Sequence, residues 1–144
     1  MIKLTSLMRD LLRTAHEEKV PCLVATASKA GLPQLSPRGS VAVYDDETLS
    51  FWEYSFKKTY HNIRENPPVA VYYRNAARAK EIPYRAAALR FYGTGRILAS
   101  GPERERAWEL TVTAEQEQDP EKKGVAVLIR VERIEDIKGN DIST

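Results

Sequence analysis

The chain has one cysteine, Cys22, and two histidines, His16 and His61. A single cysteine excludes an intrachain disulfide, and no pair among these three has zinc-ligand spacing, so no metal is expected. No apolar run approaches the ~18–20 residues that cross a bilayer. The first ten residues lack the long apolar stretch and small-residue cleavage site of a secretory leader. These absences predict a cytoplasmic protein with no membrane contact. A strong charge of one sign is also missing. Lys and Arg total 22 against 20 Asp and Glu, a formal net charge of +2. A nucleic-acid footprint needs basic residues clustered on one face, so no nucleic-acid partner is expected. There is no GxGxxG, no Walker motif and no nucleophile elbow, and Asp45 and Asp46 are adjacent turn residues rather than an acid–base pair. Any catalysis must be supplied by a cofactor.

What is present is an ordinary globular composition, 42% apolar and 29% charged over 144 residues. A chain this long buries about 68–70% of its unfolded surface and needs no staples. One domain over residues 1–144 is expected, without repeats or linkers.

Leu4, Leu7, Met8, Leu11, Leu12 and Ala15 recur at helical spacing, which predicts an amphipathic helix over about residues 4–18, ended before Pro21. A β-type run follows at Cys22–Ser28, and turn chemistry at Lys29–Pro33 leads to an extended stretch from Gln34 to Tyr44. Asp45-Asp46-Glu47 turns into Thr48–Tyr54, so these three strands read as an antiparallel meander. Phe56–Asn66 is a short helix stopped by Pro67-Pro68, and Val69–Arg74 is a strand. Asn75–Arg85 reads as a loop. Ala87–Ala99 is a long strand with a bulge or bend expected at Gly93 and Gly95. A polar helix over Glu103–Glu117 and a last strand, Val125–Ile137, close the fold. Six strands with short turns favour an antiparallel closed or half-open barrel.

The segment Ser55-Phe56-Lys57-Lys58-Thr59-Tyr60-His61-Asn62 places two lysines at the start of a helix. The helix dipole makes cations the wrong sign there, at about 0.3–1 kcal/mol each. Two readings are open. The lysines keep the loop solvated, or they and the Thr59 hydroxyl receive an anion, for which a phosphate suits. Ser36-Pro37-Arg38-Gly39-Ser40 lies in an extended stretch where Pro37 and Gly39 predict a kink or a sheet edge. Gly39 admits close approach of a ligand and Arg38 offers a further cation; a bulge with a solvated arginine is the plainer reading. Phe51, Trp52, Tyr54, Phe56 and Tyr60 crowd the same region. Alternation sends Phe51 and Trp52 to opposite faces, and rings not used in the core could flank a planar ligand.

The order of these segments resembles the pyridoxamine 5'-phosphate oxidase-like family of FMN-binding split barrels. The carriers are LVATASKAGLPQLSPRGSVAVYDDETLSFWEY, FKKTYHNIRENPPVAVYY and ALRFYGTGRI, and the likeness spans about residues 5–135. It implies a mainly β (α+β) fold, a six-stranded antiparallel split β-barrel with flanking helices. It further implies FMN as cofactor and a homodimer with the site between subunits. On this likeness Pro37, Arg38, Gly39, Ser40 and Val41 run beside the ring and phosphate. Trp52 and Glu53 touch the flavin through backbone. Lys58 and Thr59 match the basic pair on the phosphate, with Lys57 compensating for the cation that Thr59 replaces, and Asn62 faces the cofactor. No catalytic residue is assigned. The family's vitamin B6 oxidases carry an Arg-rich C-terminal segment and a glutamine where Ala88 stands. Residues 137–144 contain no such segment, so vitamin B6 oxidation is not expected. The expected function is that of a flavoprotein oxidoreductase on an unknown small substrate. The same fold binding F420 or haem, a flavin carrier or sensor, and a small nucleic-acid-binding barrel are the alternatives.

Overall fold

Inward and outward residues alternate along the strands, and that alternation sets the barrel wall. In β1 (Cys22–Ala27), Cys22, Val24 and Thr26 are buried while Leu23, Ala25 and Ala27 turn outward. The computed structural model describes residues 2–143 and contains six further strands: β2 (Pro33–Arg38), β3 (Ala42–Asp45), β4 (Thr48–Glu53), β5 (Pro68–Arg74), β6 (Ala88–Leu98) and β7 (Val125–Glu135). They form one sheet in the order β2-β1-β5-β6-β7-β4-β3, with every neighbouring pair antiparallel.

The extended stretch expected over 34–44 is therefore two strands, and the sheet has seven strands, not six. Nor do these segments form a meander, because β2 and β3 lie on opposite edges of the sheet. Only Gly39, Ser40 and Val41 separate them. Four Cα steps reach at most about 13–14 Å, whereas six strand spacings across a flat sheet span about 29 Å. The sheet must roll until its two edges come within that reach. That constraint makes the split barrel. On the edge strand β2, Pro33 and Pro37 blunt further pairing by removing backbone donors.

The bulge expected in the long strand is present as a register shift against β7 between Tyr92 and Gly93. A Cβ on Gly93 would lie 2.2 Å from the Arg130 carbonyl oxygen, so only glycine fits.

Four helices cover the barrel: α1 (Ser6–Arg13), α2 (Lys58–Glu65), α3 (Pro102–Leu110) and α4 (Thr113–Gln116). The Thr5 hydroxyl caps α1 by accepting from Met8 N at 3.2 Å. Its buried Met8, Leu11 and Leu12 join the barrel core with Leu49, Phe51, Tyr73, Phe91 and Ile129. A smaller core of Trp52, Ala107, Ala126 and Leu128 lies under α3. The single helix expected over 103–117 breaks at Thr111, whose hydroxyl bonds back to the Ala107 carbonyl while its backbone turns extended. Between β5 and β6 the chain makes two short 3-10 turns, 76–78 and 85–87.

Candidate functional site

The β3–β4 register begins at Ala42↔Ser50, whereas β4 continues to Glu53 along β7. The last three residues of β4 thus have a strand on one side only. Segment 37–41 crosses the barrel's split near this bare end. A cleft of about 90 Å³ lies there, lined by Pro37, Arg38, Ser40, Phe51, Trp52, Tyr54, Thr111 and Glu115.

Period-two alternation separates the rings of β4. Phe51 enters the barrel core; Trp52 faces the other way and packs edge-on against Trp108 with centroids 4.8 Å apart. Trp52 Nε1 donates to Asp119 Oδ2 at 2.8 Å, and Asp119 also accepts from Lys123 N and Gly124 N. Burial opposes the charge of Asp119, yet these hydrogen bonds outweigh it and hold the carboxyl below the usual range. Phe56 and Tyr60 stack edge-to-face on each other at 4.9 Å. The aromatic crowd expected from sequence is thus shared among the core, the α3 cover and the start of α2. Of these rings, Phe51, Trp52 and Tyr54 border the cleft. Burial, then the Glu115 carboxylate, push the Tyr54 hydroxyl above its ordinary value.

Glu53 is fully buried and saturated. Its Oε1 accepts from Arg38 Nη2 at 2.7 Å, and its Oε2 accepts from Ser55 N, Ser55 Oγ and Phe56 N at 2.8, 2.9 and 3.0 Å. These bonds hold Phe56 at φ +54°, a left-handed conformation that costs a non-glycine residue about 1–2 kcal/mol. Glu53 therefore shapes the approach to α2. Arg38, read from sequence as a free cation, is answered by Glu53 and lies 5.0 Å from the Phe51 ring centroid. Its Nε is buried without a partner.

At the start of α2, Lys57 and Lys58 are exposed. The first turn has no acidic residue and no side-chain cap. Neither lysine forms an ion pair among the described residues. Thr59 is buried, its hydroxyl 3.1 Å from Ser36 Oγ of β2, a residue the sequence reading did not put on the phosphate. Asn62 is buried and donates to Thr26 Oγ1 at 3.0 Å, tying the helix to β1. Ser40 Oγ accepts from Val112 N at 3.0 Å, so this hydroxyl anchors the α3–α4 link. Val41 is buried in the core.

At Gly39 the close approach expected of a ligand is taken up by the chain's own side chains. A Cβ there would fall 2.6 Å from His16 Nδ1 and 2.9 Å from Glu115 Oε1. Fold alone brings these two groups, 99 positions apart in numbering, to one backbone point beside the cleft. Cys22 is inert by comparison, because burial pushes its thiol up to about 12. Among the described residues no cluster of three His, Cys, Asp or Glu is placed to hold a metal, and no helix is long and apolar enough to cross a membrane.

The sequence profile of the pyridoxamine 5'-phosphate oxidase family matches residues 8–138. Among solved structures the chain is similar to HupZ of Group A Streptococcus, with 24% identity, 96% of this chain and 97% of that one covered, and a TM-score of 0.71. It is also similar to an F420 reductase, with 22% identity, 88% and 94% covered and a TM-score of 0.59. An FMN-binding protein from Syntrophomonas wolfei shares 12% identity, 94% and 86% coverage and a TM-score of 0.61. At these identities the likenesses speak to fold. No curated protein matches the chain.

Proposed function

Because the chain belongs to the pyridoxamine 5'-phosphate oxidase family, we propose that it is a cytoplasmic FMN-binding oxidoreductase acting on a small substrate as a homodimer. The observation that carries this reading is the uncapped, acid-free start of α2, where Lys57 and Lys58 stand against the helix dipole without partners. A phosphate dianion would remove that conflict by accepting from first-turn N–H groups, both ammonium groups and the paired hydroxyls of Thr59 and Ser36. The residues present fit such a group.

The ring would lie along Pro37–Val41 and the bare end of β4 at Trp52 and Glu53. The orphaned Arg38 Nε is a donor there with no acceptor of its own. Asn62 supports α2 from beneath. Bound flavin would supply hydride or electron transfer; the chain anchors it, orients it and sheds water around it. A cleft of about 90 Å³ is well below the roughly 300–1,000 Å³ of ligand pockets, so one chain does not enclose the ring. The second copy meets that need. Outward residues form two rows across the sheet, Leu35-Ala25-Ala70-Tyr92 and Pro37-Leu23-Tyr72, with Leu35 62% exposed. Pro37 belongs to this face and to the cleft, so a partner seated on the rows would wall the cleft as well.

The exposed setting of the lysines favours one second reading, F420 in place of FMN, because a long anionic tail would find room there. An absorbance spectrum of the purified protein and quenching titrations with FMN and F420 decide between them. Tight binding of FMN, weakened about tenfold or more by Lys58→Ala, is expected. Sedimentation of the same samples reports the second copy. A colourless protein that takes up neither ligand overturns the reading, and an unchanged affinity in Lys58→Ala rejects the anchor.

A further inference from the structure

A second cavity lies behind segment 40–43, away from α2. It measures about 260 Å³ and is enclosed by α1, β3 and the end of α3. Its walls are mainly aliphatic: Leu12 from α1, Val41 and Val43 from the β3 segment, Leu110 and Val112 from the α3 end. Its charged groups are Arg9, Arg13 and Glu109. β3 is the last strand of the sheet, so its outer edge has no strand partner and turns toward this space.

The two guanidiniums are underused. Arg9 donates one bond, Nη1 to the Val43 carbonyl at 3.2 Å, which seats it on the strand edge. Arg13 meets only Asp10, at 3.6 Å with both side chains more than half exposed, a contact too loose to hold it. Glu109 makes no ion pair with either among the described residues. The cavity thus joins an aliphatic wall to a rim with two cations against one carboxylate. Apolar pockets with a few convergent polar groups are the usual shape of a small-molecule site.

We propose that this cavity binds a small amphipathic monocarboxylate, a medium-chain alkanoate, with its chain on Leu12, Val41, Leu110 and Val112 and its carboxylate on Arg9 and Arg13. Geometry selects the anion: Arg9 and Arg13 are held only loosely by their neighbours, and guanidinium pairs carboxylate bidentately. The aliphatic lining selects the chain, since the one hydroxyl on the wall, Ser40, is already engaged by Val112 N at 3.0 Å.

The site shares Ser40 and Val41 with the proposed ring segment but none of the phosphate anchor, so octanoate is titrated into flavin-free protein. Calorimetric titration of the purified full-length protein with octanoate is expected to show one saturable site per chain. Octan-1-ol, which keeps the chain and lacks the charge, should bind at least tenfold more weakly. Arg13→Ala, an exposed change that spares the core, should weaken octanoate about tenfold and leave FMN titration unchanged. Leu110→Trp, with the native fold checked by circular dichroism, should fill the cavity and remove binding. Absence of saturable octanoate binding, equal affinity for octanol, or full affinity in Arg13→Ala would each overturn the proposal, as would retained binding in a folded Leu110→Trp.

Discussion

At the start of α3 the chain places Gly101, Pro102, Glu103 and Glu105; at the start of α2 it places Phe56, Lys57 and Lys58 with no acid. The α3 end has no side-chain cap either and carries Arg104 in its first turn, yet two acids there outnumber that one cation. Proline occupies a position where no N–H is missed, and two carboxylates face the positive end of the dipole. Those carboxylates are matched within the chain, Glu103 to Arg96 at 2.7 Å and Glu105 to Arg104 at 2.7 Å and to Lys122. The α2 end breaks the same preferences and contains no internal remedy. Both helices are short, eight and nine residues, so neither has length to spare for a mismatched end. On the function proposed above, the difference is what a bound phosphate would meet.

A buried carboxylate underlies each end, and the two can be broken separately. Glu53 organises the turn into α2 and pairs with Arg38; Asp119 ties Trp52 to the loop that enters β7, below α3. Removing one member of a buried ion pair leaves the other uncompensated, so Glu53→Ala should cost about 3–5 kcal/mol of stability in a denaturant titration. A loss below about 1 kcal/mol would mean that the left-handed Phe56 holds itself in place. Among the described residues Asp119 forms no ion pair, only hydrogen bonds from three donors, and Asp119→Asn should cost less, about 1.5–3 kcal/mol.

The Asp119 difference is also pH-dependent. The folded carboxyl is held below its ordinary value, so its contribution is complete above the unfolded pKa of about 3.9 and is lost as pH falls toward and through the folded one. The stability gap between wild type and Asp119→Asn should therefore be constant from pH 7 to about 5 and close below about 4. A gap that does not narrow at all as the pH is lowered below about 4 would assign the loss to packing around Trp52.

How much of this was legible in advance follows from the range of the interactions. The α2 start was legible because a dipole conflict is written in adjacent residues, Lys57 and Lys58. The bulge at Gly93 was legible for the same reason: glycines inside a strand pattern are a local sign. The kink at Pro37 and Gly39 was local too, but which sheet edge each half joins is decided by pairing with β1 and β4, so one stretch was read where two strands exist. The commitments of Arg38 to Glu53 and of Ser40 to Val112 join residues far apart in sequence, and composition around either position carries no trace of them. The approach of His16 and Glu115 to Gly39 is of the same kind.

The smallest effect is also the sharpest comparison of the two helix starts. Lys58→Glu gives α2 the charge that α3 already has, and with no ligand present it should stabilise the protein by about 0.3–1 kcal/mol, or somewhat more because an unfavourable charge is removed as a favourable one is added. Lys58 is exposed and has no partner to lose among the described residues, so no packing or ion-pair cost offsets the gain. The same substitution should abolish FMN binding, since it sets a carboxylate against a phosphate. Glu103→Lys, the converse change at α3, should destabilise by a comparable amount through the dipole and the lost Arg96 contact, with no effect on flavin. Thermal melts with and without FMN separate the cases: Lys58→Glu should melt higher than wild type without flavin and lower than wild type with it. If Lys58→Glu melts below wild type in both conditions, the lysine serves the helix itself, and the α2 end is no longer a demand left for a ligand.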